Sequence, residues 1–109
     1  MIAIPAVELA ATVVAVRTCS GRAVDKFTRF GLTPAPAQQV TAPQVVECLA
    51  NLACRIADAR SVPRHDFFIL EVVTAWIDPP QRNPRTIQHR GHGRFVVDGE
   101  TIRLKSRMP

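Results

Sequence analysis

The sequence predicts a mainly β domain with a few short helices, and three observations lead there. Leu52, Cys54 and Ile56 alternate with Ala53, Arg55 and Ala57, the two-residue period of a strand. The run from Phe67 to Ile77 is almost continuously apolar and rich in β-branched and aromatic residues. Asp98-Gly99 stands between two further β-prone runs in "FVVDGETIRL", a strong signal for a tight hairpin turn. The chain has 109 residues, 47% of them hydrophobic and 21% charged, which is the size and composition of one folded domain. Residues 1–109 are therefore read as a single unit.

Met1 to Ile4 is an apolar strand fragment cut off by Pro5, which suits the first turn of a helix. Glu8 favours that helix start, and Leu9, Val13 and Val16 recur at helical spacing, so Ala6 to about Arg17 is predicted as a helix with one buried face. Gly21 stops it. Asp25 to Phe30 reads as a second short helix with Phe27 and Phe30 turned to the core, and Gly31 with the Pro34/Pro36 pair forces an extended loop to Pro43. The strands around Cys54 and Val72 should pair as a long hairpin across the Ser61-Val62-Pro63-Arg64 break. Asp78-Pro79-Pro80 ends the second strand, residues 78–94 read as a polar loop, and the Asp98-Gly99 hairpin follows. The expectation is one or two helices and about four strands, too few to complete a sheet that covers itself.

Fourteen Lys and Arg against nine Asp and Glu give a net charge of +5, and Arg82, Arg85, Arg90, Arg94, Arg103, Lys105 and Arg107 crowd the C-terminal third. Such a surface attracts phosphates, or is simply solvated; no motif supports nucleic acid as a partner. Cys19, Cys48 and Cys54 are odd in number and irregularly spaced, which argues for core thiols in a reducing cytoplasm and against a disulfide framework. The apolar start is interrupted by Glu8, lacks a basic leader and is too short to span a bilayer, so no membrane association is expected. No Gly-rich dinucleotide fingerprint, Walker loop or nucleophile elbow is present. His89-Arg90-Gly91-His92-Gly93-Arg94 misses the usual zinc spacings, and its arginines would repel a cation; a basic loop facing a pyrophosphate is the better use.

Three blocks in order, "SGRAVDKFTRFGL", "APQVVECLANLACRI" and "HDFFILEVVTAWID", resemble the second half of the flavin reductase-like FMN-binding proteins, the flavoredoxin-like branch of the split-barrel flavin reductases. The resemblance runs from about Ile2 to the end and rests on Asp25-Lys26-Phe27, on Glu47 with the strand through Leu52, Cys54 and Arg55, and on His65 ahead of Glu71-Val72. It implies an FMN-binding split β-barrel, here its C-terminal part and incomplete at the N-terminus. It also implies a cytoplasmic homodimer, with FMN near the dimer interface and NAD(P)H reducing it. In that family the segment ahead of "MIAIP" supplies the first barrel strands and loops that hold much of the FMN, and Ala3 stands where an Asn is usual. A flavoredoxin-like electron carrier and a truncated remnant that only dimerises stay open as alternatives.

The resemblance implies a set of site residues. Lys26, behind the Ser20-Gly21 turn and with Arg22 beside it, would meet FMN; from the residues alone Lys26 is equally a solvated lysine next to Asp25. His65, in the turn before a buried strand, would face the flavin and nicotinamide; hydride transfer needs positioning more than an acid or nucleophile, so its role would be to orient the cofactors. Phe95 would lie against the flavin or serve as a strand-core residue, and Arg90 would face a pyrophosphate.

Overall fold

The structure, a computed structural model, describes residues 1–78 and 84–102. It is mainly β with short helices. Strand β1 (Ile2–Ile4) leads through a 3-10 turn at Val7–Leu9 into helix α1 (Ala10–Arg17), followed by helix α2 (Lys26–Phe30). Asp25 starts α2 as its N-cap, accepting from the amides of Phe27 and Thr28, and Gly31 ends it in the left-handed conformation at φ 64°. The segment read as an extended loop contains a two-residue strand β2 (Pro34–Ala35) that pairs with β3 (Gln44–Val45).

The expected long hairpin is present. Strand β4 (Ala50–Asp58) pairs antiparallel with β5 (Ile69–Ile77), and β1 adds to the other edge of β4, giving the order β1-β4-β5. A short helix α3 (Val62–His65) closes the hairpin's far end. The register places Ala50, Leu52, Cys54 and Ile56 opposite Ile77, Ala75, Val72 and Leu70 on one face. Asn51, Ala53 and Arg55 face Trp76, Thr74 and Glu71 on the other, where Arg55 and Glu71 form an ion pair at 3.2 Å. Along β4 these faces follow the period of two; on β5 they continue across a register shift between Ala53 and Cys54, where the partners step from Thr74 to Val72.

The C-terminal reading needs correction. Residues 78–94 are not all loop: strand β6 (Ile87–His89) lies within them and pairs with β7 (Phe95–Val97) across the His89–Arg94 turn. The hairpin therefore turns before Phe95, and no strand pairing follows Asp98-Gly99 in the described residues. Asp98 instead reaches back, its carboxylate accepting from the Thr86 amide at 2.9 Å and from the Thr86 hydroxyl, while its own amide donates to the Thr86 carbonyl at 3.1 Å. Arg82, Arg103, Lys105 and Arg107 lie outside the described residues.

The core is small. Among the described residues the buried apolar side chains are Ala6, Cys48, Leu49, Ala50 and Ala53, clustered where β1, β4 and the start of α1 meet. Phe27 and Phe30 are only half-buried. Asn51 is buried beside this core and satisfied there: its carbonyl accepts from Val45 N–H and its amide donates to Val45 C=O, both at 2.9 Å, tying β3 to the sheet.

Candidate functional site

Two of the residues expected to bind a cofactor, Lys26 and Phe95, line two grooves on either side of α1, which share Val13 and Arg17. The first, about 270 Å³, is walled by Ala3, Leu9, Val16, Leu32, Val45 and Cys48, with Lys26 the one charged side chain besides Arg17. It exists because α1 and α2 splay apart at the turn that Ser20 opens, where the amides of Ala23 and Val24 both donate to the Ser20 carbonyl. The Ser20 hydroxyl accepts from the Arg22 amide at 3.2 Å, fixing that turn. A Cβ at Gly21 would stand 3.8 Å from Lys26 Cε, so the turn and the lysine stem are neighbours.

Lys26 has a definite structural partner. Its Nζ donates to the Val16 carbonyl at 2.8 Å, satisfying one of the free acceptors at the end of α1. An ammonium has three protons, so two remain for a ligand at the groove. The donor set suits a flat apolar ring with an anionic edge: apolar walls, one ammonium, and the exposed Arg22 at the turn. By size the groove takes part of a nucleotide rather than all of it. Cys48 in its wall is buried; burial first, and the Glu47 carboxylate second, push its thiol above the usual range, so it stays a neutral apolar contact. Burial pushes Glu47 itself upward, but hydrogen bonds from Thr33 outweigh this and hold it below the ordinary carboxylate value.

The second groove, about 300 Å³, lies between α1 and the β6–β7 hairpin and contains Phe95. The rings of His89 and Phe95 pack at 5.0 Å and 47°. Arg17, in the last turn of α1, donates from a guanidinium nitrogen to His89 Nδ1 at 3.2 Å. A guanidinium only donates, so the contact is a hydrogen bond in the tautomer that leaves Nδ1 as acceptor. Arg90 sits at the foot of the adjoining turn, its amide donating to Arg94 C=O at 2.8 Å.

Ser20, Gly21, Arg22 and Lys26 are thus brought together, and Phe95 and Arg90 lie across α1 from them. His65 is not. It ends α3 at the far tip of the β4–β5 hairpin, and the eight steps from Ala50 to Asp58 span about 26 Å. Within one chain His65 and Lys26 occupy opposite ends of the hairpin. The sequence reading passes over Arg17, whose only signal is a basic residue closing an apolar helix. Among the described residues no three His, Cys, Asp or Glu side chains gather in a way that could hold a metal ion, and no helix is long and apolar enough to cross a membrane.

Comparisons with known proteins agree with this architecture. A family model of the flavin reductase-like domain matches residues 3–96. An uncharacterized protein of Archaeoglobus fulgidus is 29% identical over 111 aligned positions, covering 96% of this chain and 63% of that protein. The crystal structure of an FMN-binding domain of a flavin reductase-like enzyme from Shewanella baltica OS155 superposes with a TM-score of 0.81 at 23% identity, over 94% of this chain and 61% of that one. This chain spans less than two thirds of the length of these relatives.

Proposed function

The chain belongs to the flavin reductase-like domain family, and on that premise we propose that it binds FMN and takes part in NAD(P)H-dependent flavin reduction. The observation that carries the reading is Lys26 in the wall of an apolar groove, with the Ser20-Gly21 turn beside its stem. Bound FMN would supply the redox chemistry, accepting a hydride from NAD(P)H and giving two electrons to an acceptor. The chain's own work is then to hold and orient. Lys26 keeps its bond to Val16 and offers its remaining protons to the anionic edge of the flavin, where a charge-assisted hydrogen bond is worth more than a neutral one. Ser20, Gly21 and Arg22 shape the approach, Phe95 offers a ring face, and Arg90 a positive charge for a phosphate.

His65 serves such a site only across a dimer, because it lies at the tip of its own hairpin, about 26 Å of strand beyond Ala50. The reading therefore includes a homodimer in which His65 of a second copy orients the nicotinamide. Three free cysteines fit a reducing cytoplasm.

FMN titration followed by fluorescence quenching tests the reading. Saturable binding is expected, weakened by Lys26→Met roughly tenfold to a hundredfold, the equivalent of about 1.5–3 kcal/mol for a hydrogen bond to a charged group. Absence of flavin binding would sink the proposal. Bleaching of the bound flavin by NADH or NADPH distinguishes a reductase from a carrier that lacks nicotinamide use.

A further inference from the structure

We propose that the groove between α1 and the β6–β7 hairpin is a binding site for a small aromatic anion. The site goes beyond the flavin reading: Lys26, Ser20 and Gly21 take no part in it, Phe95 is common to both, and Val13 and Arg17 border both grooves. Three properties of the groove converge. Its polar lining favours an anion, since the Arg17 guanidinium and the rings of His89 and His92 line it and no Asp or Glu does. Among the described residues no carboxylate pairs with Arg17, whose guanidinium hydrogen-bonds only the His89 ring, so most of its donors remain free for an incoming anion. Its other wall is apolar, built from Val13, Val14 and Phe95, and about 300 Å³ accommodates one aromatic ring with its charged substituent.

The third property is backbone strain placed at the groove. His92 has φ 51°, between Gly91 at 86° and Gly93 at 69°, so a histidine occupies a left-handed position that glycine would hold at lower cost. That turn keeps the His92 side chain lining the groove opposite Arg17, where a glycine would leave no donor. An aromatic anion would lay its ring against Phe95 and the two valines. Its head group would accept from Arg17, with His92 within the same lining, while the Thr18 hydroxyl keeps its bond to the Ala15 carbonyl at 2.9 Å. His89, released from Arg17 as the guanidinium turns to the anion, keeps its stacking on Phe95.

The test is direct binding to the flavin-free chain, so that its outcome is independent of FMN affinity. Phenyl phosphate, inorganic phosphate and benzyl alcohol are titrated separately and followed by amide chemical shifts. Phenyl phosphate is expected to bind saturably and about tenfold or more tighter than either fragment, because only it uses both walls. Its shifts should centre on residues 13–18 and 89–95. Arg17→Gln should weaken it about tenfold. His92→Asn, which tolerates the left-handed backbone, should weaken it several-fold without loss of fold. Arg29→Gln, a cation outside the groove, should leave it unchanged. The proposal is overturned if phenyl phosphate does not saturate, if inorganic phosphate binds equally well, or if Arg17→Gln and Arg29→Gln have equal effects.

Discussion

Asn51 shows how one side chain can replace a strand. Val45 sits on β3, whose only strand partner is the two-residue β2, and Asn51 supplies the donor and acceptor that a neighbouring strand would otherwise present to its backbone. Because Asn51 is buried, its removal leaves the Val45 N–H unpaired beside the core, while the Val45 C=O keeps the Cys48 amide at 3.1 Å. Asn51→Ala is expected to cost about 1–3 kcal/mol, and urea unfolding should show it as a lower midpoint with an unchanged slope. Asn51→Asp should be no better, since a carboxylate cannot donate to the Val45 carbonyl. Lys26 is the contrasting case. Its bond to the last turn of α1 means that Lys26→Met should lower stability as well as flavin affinity, so both must be measured on the same protein.

At the level of elements, short pieces are held by carboxylates that accept from backbone or hydroxyl groups. The Thr28 hydroxyl and amide, with the Phe27 amide, hold Asp25 below its ordinary value; the Thr86 hydroxyl and amide do the same for Asp98. Thr33 holds Glu47 down against the opposing effect of burial. All three folded values are depressed, so the stability these groups provide is fully present above their unfolded values and is lost as pH falls through the folded ones. Thermal melts should therefore change little between pH 7 and 5 and fall below about pH 4. Asp98→Asn should lower the neutral-pH melting temperature and flatten part of that acid slope. The same contacts explain which elements the sequence reveals. Strand β4 and helix α1 are legible because their periods of two and of about 3.6 persist over enough residues to be counted, and β5 because its apolar run is nearly continuous. Strands β2, β3 and β6 are too short for any period. The local turn signal at Asp98-Gly99 loses to the long-range bonds that Asp98 makes with Thr86. The site divides in the same way: Gly21 and Lys26 are read together because they are neighbours in the chain, whereas Arg17 and His89 meet across 72 positions that no local pattern links.

The whole molecule is more open than its mass requires. It exposes 8997 Å², where a compact monomer of 12.0 kDa exposes about 6000 Å². Its radius of gyration is 16.2 Å against about 13 Å for a compact chain of this length. The excess includes apolar surface that folding normally covers. On one face of the β4–β5 hairpin, Ile56, Leu70, Val72 and Ile77 stay 41–68% exposed, and from Leu52 and Ala75 outward no charge interrupts that face. The opposite face carries the buried Asn51 and Ala53 toward the core and the exposed Arg55–Glu71 pair further along the hairpin. An uncovered apolar sheet face of this kind marks an interaction surface. The homodimer proposed for flavin reduction fits it, because a second copy laid on this face would hide the four exposed side chains and leave the Arg55–Glu71 pair in solvent. Sedimentation at micromolar concentration should give twice the chain mass. Ile56→Lys and Val72→Lys, which place like charges on both strands of the face, should shift the chain to monomer at a cost of about 2 kcal/mol or more for each side in dimerisation. Glu71→Gln, on the opposite face, should leave the association unchanged. A wild-type chain that sediments as a monomer would show that no second copy covers this face, and His65 would then have no route to the Lys26 groove.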